Sequence, residues 1–222
     1  MALAELAEPL ERQLEALGRA RQRSTPTVLA RERTVPVVDA LAPLLPDGLR
    51  RGSAVAVDGG AGATTLALSL AVAASVAGSW TAVVGAPWLG LEAALELGVA
   101  PERLLVVDPP REQWATTVAA LVDTVDLVLV AGSRVAPGDA RRLVARARER
   151  GAVLVVLPRT DWPAADVRLA VIGSAWRGPC EHGAGRLVAR QAEVAATGRG
   201  AAARERRASL WLPDADGRVA TA

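Results

Sequence analysis

The sequence contains no lysine, no phenylalanine and no tyrosine, and it has one cysteine and one histidine. A single cysteine excludes an internal disulfide and a multi-cysteine metal site, so no metal is expected. The core must be built from valine, leucine and alanine, with six tryptophans as the only aromatic residues. All 26 basic residues are arginine, and 24 acidic residues nearly balance them. The net charge of +2 therefore does not demand a nucleic-acid partner.

The length of 222 residues suffices for one sizeable domain, and 51% of the residues are hydrophobic, which argues against extended disorder. The first residues carry acids and no basic stretch, so a secretory signal is not expected. No apolar run is long enough and free enough of charges to span a membrane. These features predict a cytoplasmic protein.

Residues 2–22 are predicted to form an amphipathic helix, because leucines recur at spacings of three and four. Glutamates and arginines cover its other faces, and the polar connector 19–26 follows. We therefore divide the chain into residues 1–26 and a core of residues 27–222. The leucine face is a candidate binding surface for a partner or a second copy, although packing on its own core is equally open. Its members are Leu3, Leu6, Leu10, Leu14 and Leu17.

Short apolar runs alternate with helical segments through the middle of the chain. Continuous apolar runs are typical of strands buried on both faces, as in a parallel sheet covered by helices. The predicted fold class is therefore α/β with a mostly parallel sheet. From about residue 165 the pattern changes to a further strand and a C-terminal antiparallel hairpin. The predicted strands are 53–57, 81–84, 104–107, 127–130, 152–157, 167–172, 186–195 and 208–212, and the predicted helices are 63–77, 89–97, 112–123 and 138–149.

A glycine-rich turn, with Gly59, Gly60 and Gly62, joins the first of these strands to a helix. Turns of this kind bind phosphates in α/β folds, because backbone N–H groups and the helix N-terminus point at the anion. A working P-loop reads G-x-x-x-x-G-K-[ST]. Gly62 and Thr64 match that pattern, and Thr65 follows.

The same loop lacks the charged side chain that the motif requires. Ala63 stands at the lysine position and Val57 at the first glycine. Asp58 adds a negative charge that is expected to repel a phosphate. We interpret the glycines chiefly as a means of close helix–strand packing, with nucleotide binding through the backbone alone as the alternative.

From Leu45 to about Leu157 the chain resembles the RecA recombinase core. The lead-in 45–53, the Gly-Thr-Thr of the loop, the segment 95–110 and the strand 125–136 carry the resemblance. The resemblance implies a catalytic glutamate at Pro87 and a Walker B aspartate at Ala131. With the lysine also replaced, all three charges of ATP hydrolysis are absent, and phosphoryl transfer depends on such charges. We therefore expect a protein without ATPase activity and without a cofactor.

The chain resembles the ImuA-type mutasome proteins, in their actinobacterial variant form. Its degenerate loop and three C-terminal segments carry this resemblance. The segments are Trp176-Arg-Gly, residues 185–190 and residues 206–213. The resemblance implies an adaptor for damage-induced mutagenesis and translesion synthesis in the SOS response, nucleoid-associated when in complex. The implied partner is ImuB, an inactive homologue of Y-family polymerases, which connects to the sliding clamp and an error-prone polymerase. A nucleotide-switched ATPase and a DNA-binding regulator of recombination are the alternatives.

Two further groups of residues are candidates for contacts with other molecules. Trp88 and Trp162 each adjoin a proline at a strand exit and are predicted partner anchors, since tryptophan is enriched at binding hot spots. Four arginines of the C-terminal hairpin are candidates for contact with nucleic acid or an acidic partner, with an ordinary soluble loop as the third possibility. They are Arg199, Arg204, Arg206 and Arg207.

Overall fold

A computed structural model describes residues 33–131, 135–158, 160, 162, 165–178, 182, 184–199 and 204–222. The predicted N-terminal helix and its five leucines lie outside the described residues. The described chain begins with a two-stranded antiparallel ribbon, β1 (Thr34–Val35) and β2 (Leu49–Arg50). The sequence predicts a short strand or extended segment at residues 34–38, where β1 lies, but a loop over residues 41–52, where β2 is found; β2 was missed because it is only two residues long.

A nine-stranded sheet forms the centre of the molecule, in the order β11-β10-β9-β8-β3-β7-β6-β4-β5. The strands from β8 through β5 in this order are parallel, and those from β8 to β11 are antiparallel. The predicted mostly parallel sheet with an antiparallel C-terminal part is confirmed. The strands are β3 (Ala54–Gly59), β4 (Thr81–Val84), β5 (Leu104–Val107), β6 (Leu127–Val130), β7 (Val153–Val156), β8 (Val167–Arg177), β9 (Ala189–Gly198), β10 (Arg206–Trp211) and β11 (Ala220–Thr221).

In the described part of the chain, four α-helices cover the sheet: α1 (Ala63–Val76), α2 (Leu91–Glu96), α3 (Trp114–Thr124) and α4 (Pro137–Arg150). Short 3-10 turns stand at Asp39–Leu41, Pro101–Arg103 and Arg111–Gln113. None of the described helices combines the length and the apolarity needed to cross a membrane.

The core has two layers because successive residues of a strand point to opposite faces of the sheet. In β3, Val55 and Val57 join the layer that contains α1, whereas Ala54 and Ala56 join the layer that contains α3 and α4. Both faces of β3 are therefore covered, which explains its uninterrupted apolar sequence.

The β8–β9 hairpin reaches farther than the sequence indicated. β8 was expected to end near residue 172 but continues to Arg177, and a register irregularity lies between Val171 and Gly173. Residues 172–177 are exposed, so the apolar periodicity that marks the start of the strand is missing there. The outer part of the hairpin lies beside the glycine-rich turn.

Candidate functional site

The glycine-rich turn connects β3 to α1 and owes its shape to two of its three glycines. Gly59 and Gly62 both have φ of 110°, a conformation that side chains other than glycine rarely adopt. A Cβ on Gly59 would lie 2.4 Å from the backbone oxygen of Val171 in β8. A Cβ on Gly60 would meet nothing within 4 Å. Gly59 therefore permits the close approach of the neighbouring strand β8, a strand–strand contact and not the helix–strand packing that the sequence predicts.

The β8–β9 hairpin touches the turn with polar side chains as well. The hydroxyl of Ser174 donates a hydrogen bond to the carbonyl oxygen of Ala61, with 2.8 Å between the oxygens. Arg168, also on β8, forms an ion pair with Asp58. The neighbouring strand thus supplies a counter-charge to Asp58, and no local motif could reveal it.

Arg190 of β9 also contacts the turn, although it follows Thr65 by 125 residues in the sequence. Its Nη2 donates to the hydroxyl of Thr65 over 2.8 Å, and its Nε donates to the carbonyl oxygen of Leu212 over 2.6 Å. Its guanidinium carbon lies 4.8 Å from the ring centroid of Trp176. A Cβ on Gly62 would lie 3.3 Å from its Nε. The hairpin thus places a guanidinium directly against the start of α1.

The guanidinium is poorly solvated, since Arg190 is only 9% exposed. Burial lowers the pKa of Arg190 below its ordinary value. Among the described residues no carboxylate lies within ion-pair distance of it. Two hydrogen bonds and a tryptophan ring therefore stabilise this buried cation in place of a counter-ion.

The three positions at which the RecA resemblance implies charged residues are apolar in the structure. Ala63 is 2% exposed and Ala131 is 5% exposed, whereas Pro87 is exposed in the turn after β4. The backbone oxygen of Ala131 accepts a hydrogen bond from Nε1 of Trp114 over 2.8 Å. The packed methyl groups of Ala63 and Ala131 and the ring of Pro87 do not fit a magnesium–nucleotide group, which requires cationic and carboxylate ligands.

The structure separates the two tryptophans that were predicted to be partner anchors. Trp88 is 57% exposed, and Leu91 and Leu95, which follow it closely in the sequence, are exposed as well. Trp162 is 3% exposed and belongs to the core layer with α3 and α4, so the prediction that it anchors a partner was wrong. Tryptophan is large enough to fill a core that lacks phenylalanine and tyrosine, and this competing role prevailed at Trp162.

The four candidate arginines of the hairpin do not form one cluster. Arg199 and Arg206 line a cavity of about 630 Å³. Arg204 and Arg207 are exposed outside it, and Arg207 is paired with Glu205. In the part of the chain that the structure describes, no group of three or more His, Cys, Asp or Glu side chains could hold a metal ion.

The sheet and the helices that cover it form a RecA-like fold. The crystal structure of the RadB recombinase superposes with a TM-score of 0.58 at 15% identity, covering 83% of this chain and 97% of that chain. This likeness shows the fold. The family model described as the MT3502 N-terminal domain matches residues 43–164, and the chain belongs to this family. It is also similar to the uncharacterized protein Rv3395c of Mycobacterium tuberculosis, at 37% identity over 146 residues, 62% of this chain and 71% of that protein.

Proposed function

We propose that this protein is a non-enzymatic adaptor, a RecA-like pseudo-ATPase that acts through contacts with other proteins. The observation that carries the proposal is the placement of Arg190 against Gly62 and Thr65, where a working loop holds phosphates. The buried Ala63 also supports the proposal, because it occupies the position at which a working loop carries its phosphate-binding lysine. A turn filled by the protein's own hairpin serves as a structural joint instead of a nucleotide site.

The proposed partner is an ImuB-like inactive homologue of Y-family polymerases, and the proposed setting is the mutasome of damage-induced mutagenesis. Motif resemblance supports this identity. The sliding clamp and an error-prone polymerase would then be indirect partners. An exposed apolar patch at Trp88, Leu91 and Leu95 offers such a partner a surface, since single-domain proteins rarely leave neighbouring large apolar side chains in water.

Affinity capture from cells with damaged DNA tests the adaptor proposal. The tagged full chain is expected to retain the polymerase homologue, and Trp88→Ser with Leu91→Ser is expected to reduce its recovery by about tenfold or more. Val76→Ser is the matched control, because Val76 is an exposed apolar residue on α1, outside this patch. Equal recovery with the unmodified chain, the double variant and the control would show that the patch does not bind the partner. Absence of the polymerase homologue from every capture would refute the proposed partner.

A nucleotide-switched RecA-family ATPase is the second candidate, and one feature of α1 favours it. Gly62 caps this helix without a side-chain hydrogen bond, and the Arg190 guanidinium lies beside it. A cation at a helix N-terminus is disfavoured by the helix dipole, so an anion between them would be stabilised. Calorimetric titration with ATP and magnesium decides between the two candidates: the adaptor proposal expects no saturable heat, whereas binding that Arg190→Met abolishes would favour the switch.

A DNA-binding regulator of recombination is the third candidate, favoured by the arginines around the cavity that Arg199 and Arg206 line. If arginines bind the phosphates of DNA, the affinity decreases steeply as the salt concentration rises. Titration of single-stranded DNA at several salt concentrations tests it, and the adaptor proposal expects no binding at physiological salt.

A further inference from the structure

The cavity of about 630 Å³ lies where the central strands begin, away from the glycine-rich turn. Ser53 and Val55 line it around the first residue of β3, and Val167 lines it at the first residue of β8, whereas the turn follows the end of β3. Ligand pockets in proteins commonly measure roughly 300–1,000 Å³. The cavity is therefore separate from the site described above and large enough to hold a small molecule or a few residues of a peptide.

Charged side chains, and not apolar ones, form the open surface of this cavity. Four of its apolar lining residues are core side chains between 1% and 6% exposed, namely Leu44, Leu45, Leu49 and Val55. Five arginines from five separate segments also line it, and all but the last are exposed: Arg33, Arg50, Arg148, Arg199 and Arg206. A ligand that enters the cavity therefore meets guanidinium groups.

Backbone hydrogen bonds hold these arginines at the cavity. The carbonyl oxygen of Arg33 accepts a hydrogen bond from the N–H of Arg51 over 2.8 Å, within the ribbon that contains Arg50. The N–H of Arg199 donates to the carbonyl oxygen of Asp166 over 3.0 Å, and Asp166 itself lines the cavity. The fold thus brings the arginines together, although like charges repel one another and their assembly is unfavourable unless an anion offsets it.

The carboxylates of the described chain offset this positive charge only in part. Asp166 lies 3.7 Å from Arg148, with both side chains partly exposed. Within the described ranges, three of the other lining arginines have no carboxylate in ion-pair distance: Arg33, Arg50 and Arg199. Their guanidinium groups are available to an anionic ligand, and a guanidinium binds a carboxylate through paired N–H donors.

The two aspartates of the lining, Asp47 and Asp166, favour a peptide over a nucleic acid. The phosphate groups of DNA only accept hydrogen bonds, so these carboxylates would repel them. An acidic peptide carries carboxylates for the arginines and also backbone N–H groups that donate to the aspartates. None of the described residues that line the cavity is aromatic, whereas sites for single-stranded nucleic acid commonly stack bases on aromatic side chains.

We propose that this cavity binds an acidic segment of a protein partner, with its carboxylates on the arginines and its backbone N–H groups on the aspartates. The inference rests on the proposed adaptor function, because it specifies the chemistry of one contact with a partner. It adds a charged contact to the apolar one at Trp88, Leu91 and Leu95.

Fluorescence anisotropy with the purified full chain at physiological salt tests the cavity directly. The probe is a fluorescein-labelled peptide with a run of glutamates, and the reference is the same peptide with glutamines in their place. Saturable binding of the glutamate peptide alone is expected. Arg50→Glu with Arg199→Glu is expected to weaken it at least about tenfold, because two charge-assisted contacts are lost. Absence of binding, or equal binding of the two peptides, overturns the proposal.

The matched control is Arg111→Glu with Arg186→Glu, which changes the net charge equally at two exposed arginines outside the cavity. This variant is expected to bind the glutamate peptide within about twofold of the unmodified chain, because isolated surface charges contribute little. A loss as large as that of the cavity variant would show that overall charge attracts the peptide, and would overturn the proposal. Thermal melting reports whether each variant is folded, and Arg50→Gln with Arg199→Gln repeats the test if the glutamates lower the melting temperature.

Competition distinguishes the peptide from a nucleic acid. An unlabelled single-stranded oligonucleotide is expected to displace the labelled peptide less effectively than the unlabelled peptide does. More effective displacement by the oligonucleotide would overturn the proposal and assign the cavity to nucleic acid.

Affinity capture from cells with damaged DNA separates this inference from the adaptor function on which it rests. Arg50→Glu with Arg199→Glu is expected to recover at least about tenfold less of the polymerase homologue than the control with Arg111→Glu and Arg186→Glu. Equal recovery by these two variants overturns the inference and leaves the adaptor proposal intact. If the unmodified chain binds the glutamate peptide through the cavity but recovers no homologue, the named partner is refuted and the preference of the cavity for acidic segments stands.

Discussion

Replacement of Arg190 measures how firmly the hairpin is held on the glycine turn. Alanine removes two hydrogen bonds from a charged donor, and each such bond contributes roughly 1.5–3 kcal/mol. It also removes the contact with the Trp176 ring, worth about 0.5–2 kcal/mol. The desolvation of the guanidinium opposes these gains and is relieved by the substitution. We therefore expect Arg190→Ala to lower the free energy of unfolding by about 2–4 kcal/mol, within the range of strongly destabilising substitutions.

Arg177→Ala is the matched control for this prediction. Arg177 also stacks on a tryptophan, with its guanidinium carbon 4.6 Å from the Trp211 ring centroid, but it is exposed and its side-chain hydrogen bond to Gln191 is 3.4 Å long. Its removal is expected to cost less than about 1 kcal/mol. Urea denaturation followed by far-UV circular dichroism avoids the local fluorescence of the two tryptophans. Equal losses in the two variants, or a loss below about 0.5 kcal/mol for Arg190→Ala, would refute the argument that burial strengthens these contacts.

Three further predictions concern other parts of the molecule. Gly59→Ala is expected to cost about 1–3 kcal/mol in urea denaturation, because its φ is positive and its Cβ would meet Val171, whereas Gly60→Ala stays within about 0.5 kcal/mol; equal effects would contradict the assigned turn geometry. Hydrogen bonding to Arg146 lowers the pKa of Asp123, so the stability that Asp123 adds is present at neutral pH and is lost as the pH falls through its folded pKa. Asp123→Asn is therefore expected to flatten the acid side of the profile of unfolding free energy against pH. An unchanged profile would contradict this role of the ion pair. Ala63→Lys is expected to show no ATP hydrolysis above a mock purification, because Pro87 and Ala131 remain, and turnover by this variant would show that those two positions are misassigned.

The parallel part of the sheet could be predicted from the sequence to a large extent because its strands are continuous apolar runs, which in β4 and β6 are buried on both faces. The strands at 81–84, 104–107 and 127–130 were predicted with the bounds that the structure gives. A continuous apolar run marks such a strand at both ends. The pairs β1–β2 and β10–β11 include strands of only two residues, and two residues show no periodicity.

The candidate site could be predicted only in part. The loop and its missing lysine are local features, so the sequence reveals them. The contact of Arg190 with Thr65 joins residues 125 positions apart, and no spacing rule connects them. The prediction for Trp162 failed for a related reason. Proximity to a proline at a strand exit does not indicate whether a side chain points into the core or into solvent. Its Nε1 is buried without a hydrogen-bond partner among the described residues, a cost that packing of the large ring offsets.

The position of β3 between β7 and β8 has a consequence for how the chain acquires its structure. β3 pairs with no strand near it in the sequence: Ala54 lies opposite Leu154, and Val55 lies opposite Val167. Contacts between such distant residues form slowly, because a long loop must close before any pairing rewards it. While the chain emerges from the ribosome, β3 has two open edges until β7 is available, and its second edge stays open until about residue 170. Chains that stop before that point are therefore expected to aggregate, and the last quarter of the sequence decides whether the central strand is ever enclosed.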